Sequence, residues 1–249
     1  TLDAATPPLL LVALGAAVGG FVQGLSGFAF GLAALAVWAW VMEPQVAGPL
    51  VVFGSLVGQV LALPSIRRGV SVARVWPFVA GGTLGIPLGV AALRAIDPVG
   101  FKAALGAFLV LWCPAMLMLR RPPRVTAGGR LADAAAGFGG GIGGGLGGLT
   151  GPVPILWVTL RGWPPDVARG VFQPFNLVMH ALVMAAYLAS GTVTAAFLPL
   201  FAVVAPAMVL PGWLGTRLYR LISPEAFRRV VLALLTVSGV MMLAASLPR

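Results

Sequence analysis

Apolar runs long enough to cross a lipid bilayer dominate this chain, and that feature alone removes most folds from consideration. About 20 apolar residues span the hydrocarbon core as a helix. Runs 46–63, 72–93, 98–119, 167–189, 194–216 and 227–247 meet that length. Two further apolar stretches, 9–42 and 131–160, are 34 and 30 residues long, and glycine interrupts each. At about 1.5 Å per residue the first would measure ~51 Å as one helix, against a core of ~30 Å. A break near the middle of each gives two half-helices of about 15 residues, the length of a re-entrant hairpin. Composition agrees: 59% of the 249 residues are apolar and 9% are charged. Soluble domains carry about 25% charged residues, so too few are present to cover a folded surface of this size. The 34 glycines and 21 prolines do not signal disorder, because the apolar content is far too high. Cys113 is the single cysteine, which excludes an internal disulfide or a cysteine metal cluster and leaves a packing role. Residues 1–8 carry no basic region, so no cleaved signal peptide is expected. An all-α integral membrane protein follows.

The two anomalous stretches are related. Gly24-Leu25-Ser26-Gly27 returns as Gly148-Leu149-Thr150-Gly151 at an offset of 124. Pro44-Gln45-Val46-Ala47 returns as Pro165-Asp166-Val167-Ala168 at 121. Arg94, Ile96, Pro98, Phe101 and Lys102 match Arg220, Ile222, Pro224, Phe227 and Arg228 at a constant 126. Three blocks in one order predict a tandem duplication, with repeats at 1–124 and 125–249.

Charge decides the orientation of the repeats. If each contributes one hairpin and three crossings, the second is inverted. With both termini outside, the cytoplasmic side then collects Arg67, Arg68, Arg74, Arg120, Arg121, Arg124, Arg130, Arg161, Arg169, Arg217, Arg220, Arg228 and Arg229. Arg94, Lys102 and Arg249 remain outside, a split of 13 to 3. Eight full crossings with parallel repeats would split the same residues 8 to 8. Cytoplasmic loops favour Lys and Arg, so inverted-topology repeats are expected. The net charge of +10 is then a matter of sidedness. Its residues are scattered over short loops, which excludes a nucleic-acid-binding domain.

Inverted repeats with broken helices place substrate near the midplane, where the breaks meet. After each tip a half-helix begins, with Ser26 or Thr150 expected as its N-cap and Pro152 in the first turn of the second. Helix N-termini attract anions, and Gly24, Gly27, Gly148 and Gly151 allow close approach to the backbone. Small residues also serve tight helix packing in bilayers, an equal claim on the run Gly137–Gly148. Arg169, Gln173, Asn176 and His180 follow at spacings of 4, 3 and 4, which puts them on one helical face. Pro174 within that segment would free a backbone carbonyl. The equivalent first-half positions are Gly48, Val52, Ser55 and Gln59. Buried polar groups in lipid face a cavity or bond another helix. No Asp or Glu is expected deep within a span, which argues against cation selectivity; if protons are coupled, the lone His180 is the only deep titrating group. A Ser26–His180 hydrolase is disfavoured, because Gly24-Leu25-Ser26-Gly27 is no nucleophile elbow and the second tip has no matching histidine. We expect no enzyme activity and no cofactor.

These blocks resemble the TauE/SafE sulfite exporter family, through the segments Gly19–Gly27 and Gly143–Gly151, Pro-x-x-Ala at 44–47 and 165–168, and the late Ile-x-Pro-x-x-Phe blocks. The resemblance covers nearly the whole chain. It implies a bacterial inner-membrane carrier for sulfur-containing anions such as sulfite, sulfoacetate or related organosulfonates. After Pro-x-x-Ala the chain reads Gly48-Pro49-Leu50 and Arg169-Gly170-Val171-Phe172, where many members look to have small hydroxyl residues. Arg169, if turned inward, would form a bidentate partner for a sulfonate; the cytoplasmic charge bias accounts for it equally well. The expected site is completed by Gln23, Gln59, Gln173, Asn176 and His180, with rocking of the repeats alternating access. A passive anion channel of the same architecture and import of a small carboxylate or sulfonate stay open, as does a homodimer.

Overall fold

A computed structural model describes residues 7–26, 29–66, 70–118, 124–218 and 224–246. Among these residues it is all-helical: α1 (Leu9–Ser26), α2 (Phe30–Trp38), α3 (Pro44–Ile66), α4 (Val72–Ala95), α5 (Pro98–Met118), α6 (Gly129–Gly147), α7 (Pro152–Leu160), α8 (Pro165–Ala189), α9 (Leu198–Leu218) and α10 (Pro224–Ser246). A short 3₁₀ turn, Ala195–Phe197, leads into α9. Six helical segments are long and apolar enough to cross a membrane: Leu9–Ser26, Pro44–Ala62, Val72–Ala95, Pro98–Met118, Val167–Ala189 and Ala195–Leu218. Large apolar side chains such as Leu84, Leu111 and Leu210 stand exposed on α4, α5 and α9, as a surface against lipid requires. Gly27 and the expected cytoplasmic or outer charges Arg67, Arg68, Arg120, Arg121, Arg220 and Arg249 lie outside the described residues.

Helix boundaries follow local chemistry. Prolines open α3, α5, α7, α8 and α10, where the missing N–H costs nothing and φ is already helical. Asp97 caps α5, its Oδ1 accepting the N–H groups of Gly100 at 2.8 Å and Val99 at 2.9 Å. The Gly100 bond does most to hold its carboxyl below the usual carboxylate range. The glycine-interrupted stretches do break, but unevenly. Their arms are 18 and 9 residues in the first and 19 and 9 in the second, where two arms of about 15 were expected. In the second stretch the break falls where Gly148, at φ 73, ends α6; in the first, Ala29 at φ 68 stands at the N-cap of α2.

The chain forms two compact units, each drawing on both sequence halves. Unit one comprises Thr1–Ala47, Ile96–Arg121 and Pro199–Arg249, and unit two comprises Gly48–Ala95 and Pro122–Leu198. In unit one α1 packs on α2, and α5 packs on α10. There α1 also meets α9 backbone to backbone: a Cβ at Gly24 would meet the Gly212 carbonyl, and one at Gly215 the Phe21 carbonyl. The Thr216 hydroxyl donates across this seam to the Gly24 carbonyl at 3.3 Å, sharing its proton with Gly212 at 3.0 Å. In unit two α4 and α6 lock through two glycine rows of spacing four, Gly81, Gly85 and Gly89 against Gly137, Gly141 and Gly145. A Cβ on any of the six would strike backbone of the other helix. Close packing therefore accounts for Gly137, Gly141 and Gly145. Gly139, Gly140 and Gly143 face Val153, Thr150 and Leu149 at and beyond the break.

Candidate functional site

At the second break, in unit two, α6 ends on the left-handed Gly148. Leu149 N–H reaches back to the Gly143 carbonyl at 2.9 Å and Gly148 N–H to the Gly144 carbonyl at 2.7 Å. Only glycine meets the geometry at 148 without strain. The chain then passes through Leu149, Thr150 and Gly151 into α7, which opens on Pro152 as expected.

Thr150 was expected to cap α7, and it does not. Gly151 holds that position without a side-chain cap, and Thr150, 1% exposed, faces α8. Its hydroxyl donates to Asn176 Oδ1 at 2.8 Å. His180 Nδ1 lies 2.7 Å from the Asn176 backbone oxygen. Its Nε2 lies 3.2 Å from the Gly148 carbonyl and 3.4 Å from Thr150 Oγ1. Two turns on, the Tyr187 hydroxyl donates to the Gly145 carbonyl at 2.6 Å. Two side chains of α8 thus reach carbonyls that α6 leaves open at its C-terminus. The cluster unites Gly148, Thr150, Asn176 and His180, with Gly151 beside the Asn176 amide.

Other expected members stand apart from this cluster. Gln173 is half-buried, whereas Arg169 is exposed rather than turned inward. Pro174 lies within an unbroken α8 and removes the donor to the Gly170 carbonyl. Gln59 is 2% exposed, and its Oε1 has no partner among the described residues. It shares a face of α3 with Val52, which lies against Gly148, and sits seven residues or about 10.5 Å further along.

The first break belongs to unit one and is built differently. Ser26 closes α1, and its hydroxyl donates to the Val22 carbonyl at 2.7 Å; it does not cap the next helix. Ala29 takes the N-cap of α2 without a side-chain cap. Gln23 is buried in α1, and Gly24 rests on Gly212. The N–H groups of Phe30, Gly31 and Leu32 form the first turn of α2 unbroken. In α7 the first turn includes Pro152 and Pro154, which have no N–H to offer an anion.

Sequence reasoning missed the ends of these helices away from the breaks. Asp133, expected at a span end, is buried one turn inside α6. Its Oδ1 accepts the Trp157 indole N–H at 2.6 Å and lies 3.9 Å from Arg161 Nε. The Arg161 guanidinium stands 5.7 Å over both Trp157 and Trp163. In unit one the corresponding closure is the Trp38 indole, donating to the carbonyls of Leu11 at 3.2 Å and Val12 at 3.3 Å. Tyr187, seven residues beyond His180, was legible as an extension of the polar stripe. A lone Asp133 among alanines gave no such pattern.

Among the described residues no group of three His, Cys, Asp or Glu side chains is placed to hold a metal, and Cys113 is buried in α5. No curated protein and no solved structure matches the chain. The family model described as sulfite exporter TauE/SafE matches residues 11–242. That is nearly the whole chain, with both glycine-rich breaks inside the match. The chain is a multi-pass membrane protein and belongs to the TauE/SafE sulfite exporter family.

Proposed function

We propose that the chain is a secondary carrier, working as an exporter, of small sulfur-containing oxyanions such as sulfite, sulfoacetate or related organosulfonates. The observation that carries this reading is the Thr150–Asn176–His180 cluster, which places polar groups beside a helix break among apolar helices. Buried polar side chains in a bilayer are costly and mark substrate paths. Family membership supplies the anion class.

In this reading 1–124 and 125–249 are inverted-topology repeats with re-entrant hairpins at α1–α2 and α6–α7. Helix lengths run 18, 9, 23, 24, 21 and then 19, 9, 25, 21, 23, which supports it. So do Gly89 and Gly215, equivalent at 126, each of which backs onto the long arm of a hairpin. The 13-to-3 charge split supports termini outside a bacterial inner membrane. Each tip contributes to anion binding, with Gln23, Gly24, Ser26 and Gly27 in one half and Gln59, Gly148, Thr150, Gly151, Gln173, Asn176 and His180 serving the other. Movement of the repeats alternates access.

A thermal-shift panel of sulfite, sulfoacetate, taurine, thiosulfate, sulfate and small carboxylates tests the anion class. Ligands that bind the folded state raise its stability by mass action. Saturable flux with counterflow is the expected kinetic signature, and ohmic current in a planar bilayer would mean a channel instead.

A further inference from the structure

We propose that His180 holds the proton that moves with the anion: the ring is neutral in the empty carrier and becomes imidazolium when the anion binds. The inference rests on the carrier reading above. Its basis is a ring with oxygen at both nitrogens. Nδ1 faces the Asn176 carbonyl at 2.7 Å and Nε2 the Gly148 carbonyl at 3.2 Å. Carbonyl oxygens have no proton to give, so each of these contacts is a hydrogen bond only if the nitrogen carries hydrogen. A neutral imidazole has one N–H and satisfies one carbonyl.

The third neighbour, Thr150 Oγ1 at 3.4 Å, is the only one with a proton to give, and the Asn176 amide holds it. In the charged state Nδ1–H donates to Asn176, Nε2–H donates to Gly148, and the Thr150 hydroxyl stays on Asn176 Oδ1. In the neutral state Nε2 accepts a hydrogen bond from the Thr150 hydroxyl, the Asn176 amide turns to donate to Thr150, and the Gly148 carbonyl loses its donor. Protonation is thereby tied to the glycine that forms the tip.

Two features favour the charged ring. Gly148 lies at the C-terminal end of α6, where the helix dipole favours a cation. A bound anion nearby supplies the opposite charge that a buried imidazolium requires. No carboxylate among the described residues does so. From α6 the charged groups are Arg130 and Asp133 at its far end, and from α4 they are Arg74 and Arg94 near its ends. On α7 there is none before Arg161, and α3 presents Gln59. On α8 itself Arg169 lies three turns before the ring and Tyr187 two turns after. The proton comes from water on the side where the anion enters and leaves with it, so a monoanionic sulfonate crosses without net charge.

His180 is the single histidine of the chain, so ¹⁵N-histidine-labelled protein reports this ring alone. The probe is methanesulfonate, whose sulfonate stays ionised and cannot carry the proton itself. At pH 7 without anion, Nδ1 should read as protonated and Nε2 as bare; with saturating anion both should read as protonated. In proteoliposomes a gradient of one pH unit, acid outside, should drive about tenfold accumulation of methanesulfonate inside at one-to-one coupling. H180Q loses the cation that faces the anion, so it should show a smaller thermal shift, and its residual flux should show no response to the gradient. If anions raise the melting temperature while Nε2 stays bare, this inference falls and the carrier reading stands. If no anion raises it, both fall together.

Discussion

The two broken stretches, α1 with α2 and α6 with α7, share a length pattern and little of its chemistry. At the first tip three successive N–H groups begin α2, whose N-cap Ala29 makes no side-chain cap bond. At the second, prolines remove N–H groups from the first turn of α7 and a Thr–Asn–His cluster stands beside the break. The closures at the far ends also differ: Trp38 on two carbonyls in one, Asp133 with Trp157 and Arg161 in the other. The two breaks thus share helix lengths and differ in the groups that surround them. Backbone N–H groups suit an anion, whereas a side-chain cluster can also handle a proton.

The comparison can be broken first at the helix seams, where the largest effects are expected. Gly141→Leu drives a side chain into the Gly82 backbone, and Gly24→Leu does the same at Gly212. Each should cost on the order of 4 kcal/mol or more and leave no monodisperse protein on size exclusion. A tolerated Gly24→Leu beside a lost Gly141→Leu would make the α1–α9 seam the more plastic one. Next come the closures. Asp133→Ala strands a guanidinium and an indole N–H and should cost about 3 kcal/mol in thermal unfolding. Trp38→Phe removes one N–H and should cost about 1 kcal/mol. Equal costs would erase the distinction between an ionic and a neutral closure.

The tips respond in opposite directions to the same exchange. Gly148→Ala puts a Cβ on a left-handed residue against the Val51 side chain, and should cost about 2 kcal/mol. Ala29→Gly relieves a left-handed residue at φ 68 and should stabilise by about 0.5–1 kcal/mol, the smallest effect of the set. If Ala29→Gly lowers the melting temperature, Ala29 packs for more than its strain costs.

What the sequence made legible was periodic or repeated. Runs of apolar residues located every long helix within a few positions, because bilayer thickness dictates their length. The duplicated Gly-Leu-Ser/Thr-Gly located both breaks, and the 4-3-4 spacing brought Asn176 and His180 to one face. Roles set by a neighbour far along the chain were not legible. Ser26 and Thr150 read as caps because each sits before a helix, yet one turns back to Val22 and the other reaches Asn176. Arg169 keeps the periodicity of the stripe and still ends exposed. Asp133 gains its meaning only when α7 brings back Trp157 and Arg161.

The glycine seams also bear on how the chain is made. Unit two draws on helices that are neighbours in time: α6 begins 34 residues after α4 ends, and α8 is complete at Ala189. By contrast α1 ends at Ser26, and its partner α9 does not begin until Leu198. At synthesis rates of 5–20 residues per second that gap lasts about 10–35 s. Throughout it the Gly20–Gly24 face of α1 waits in the membrane without the backbone it was shaped to meet. The histidine-bearing unit has all its helices before the other has its fourth, so a ribosome stalled near residue 195 would leave one seam formed and the other open.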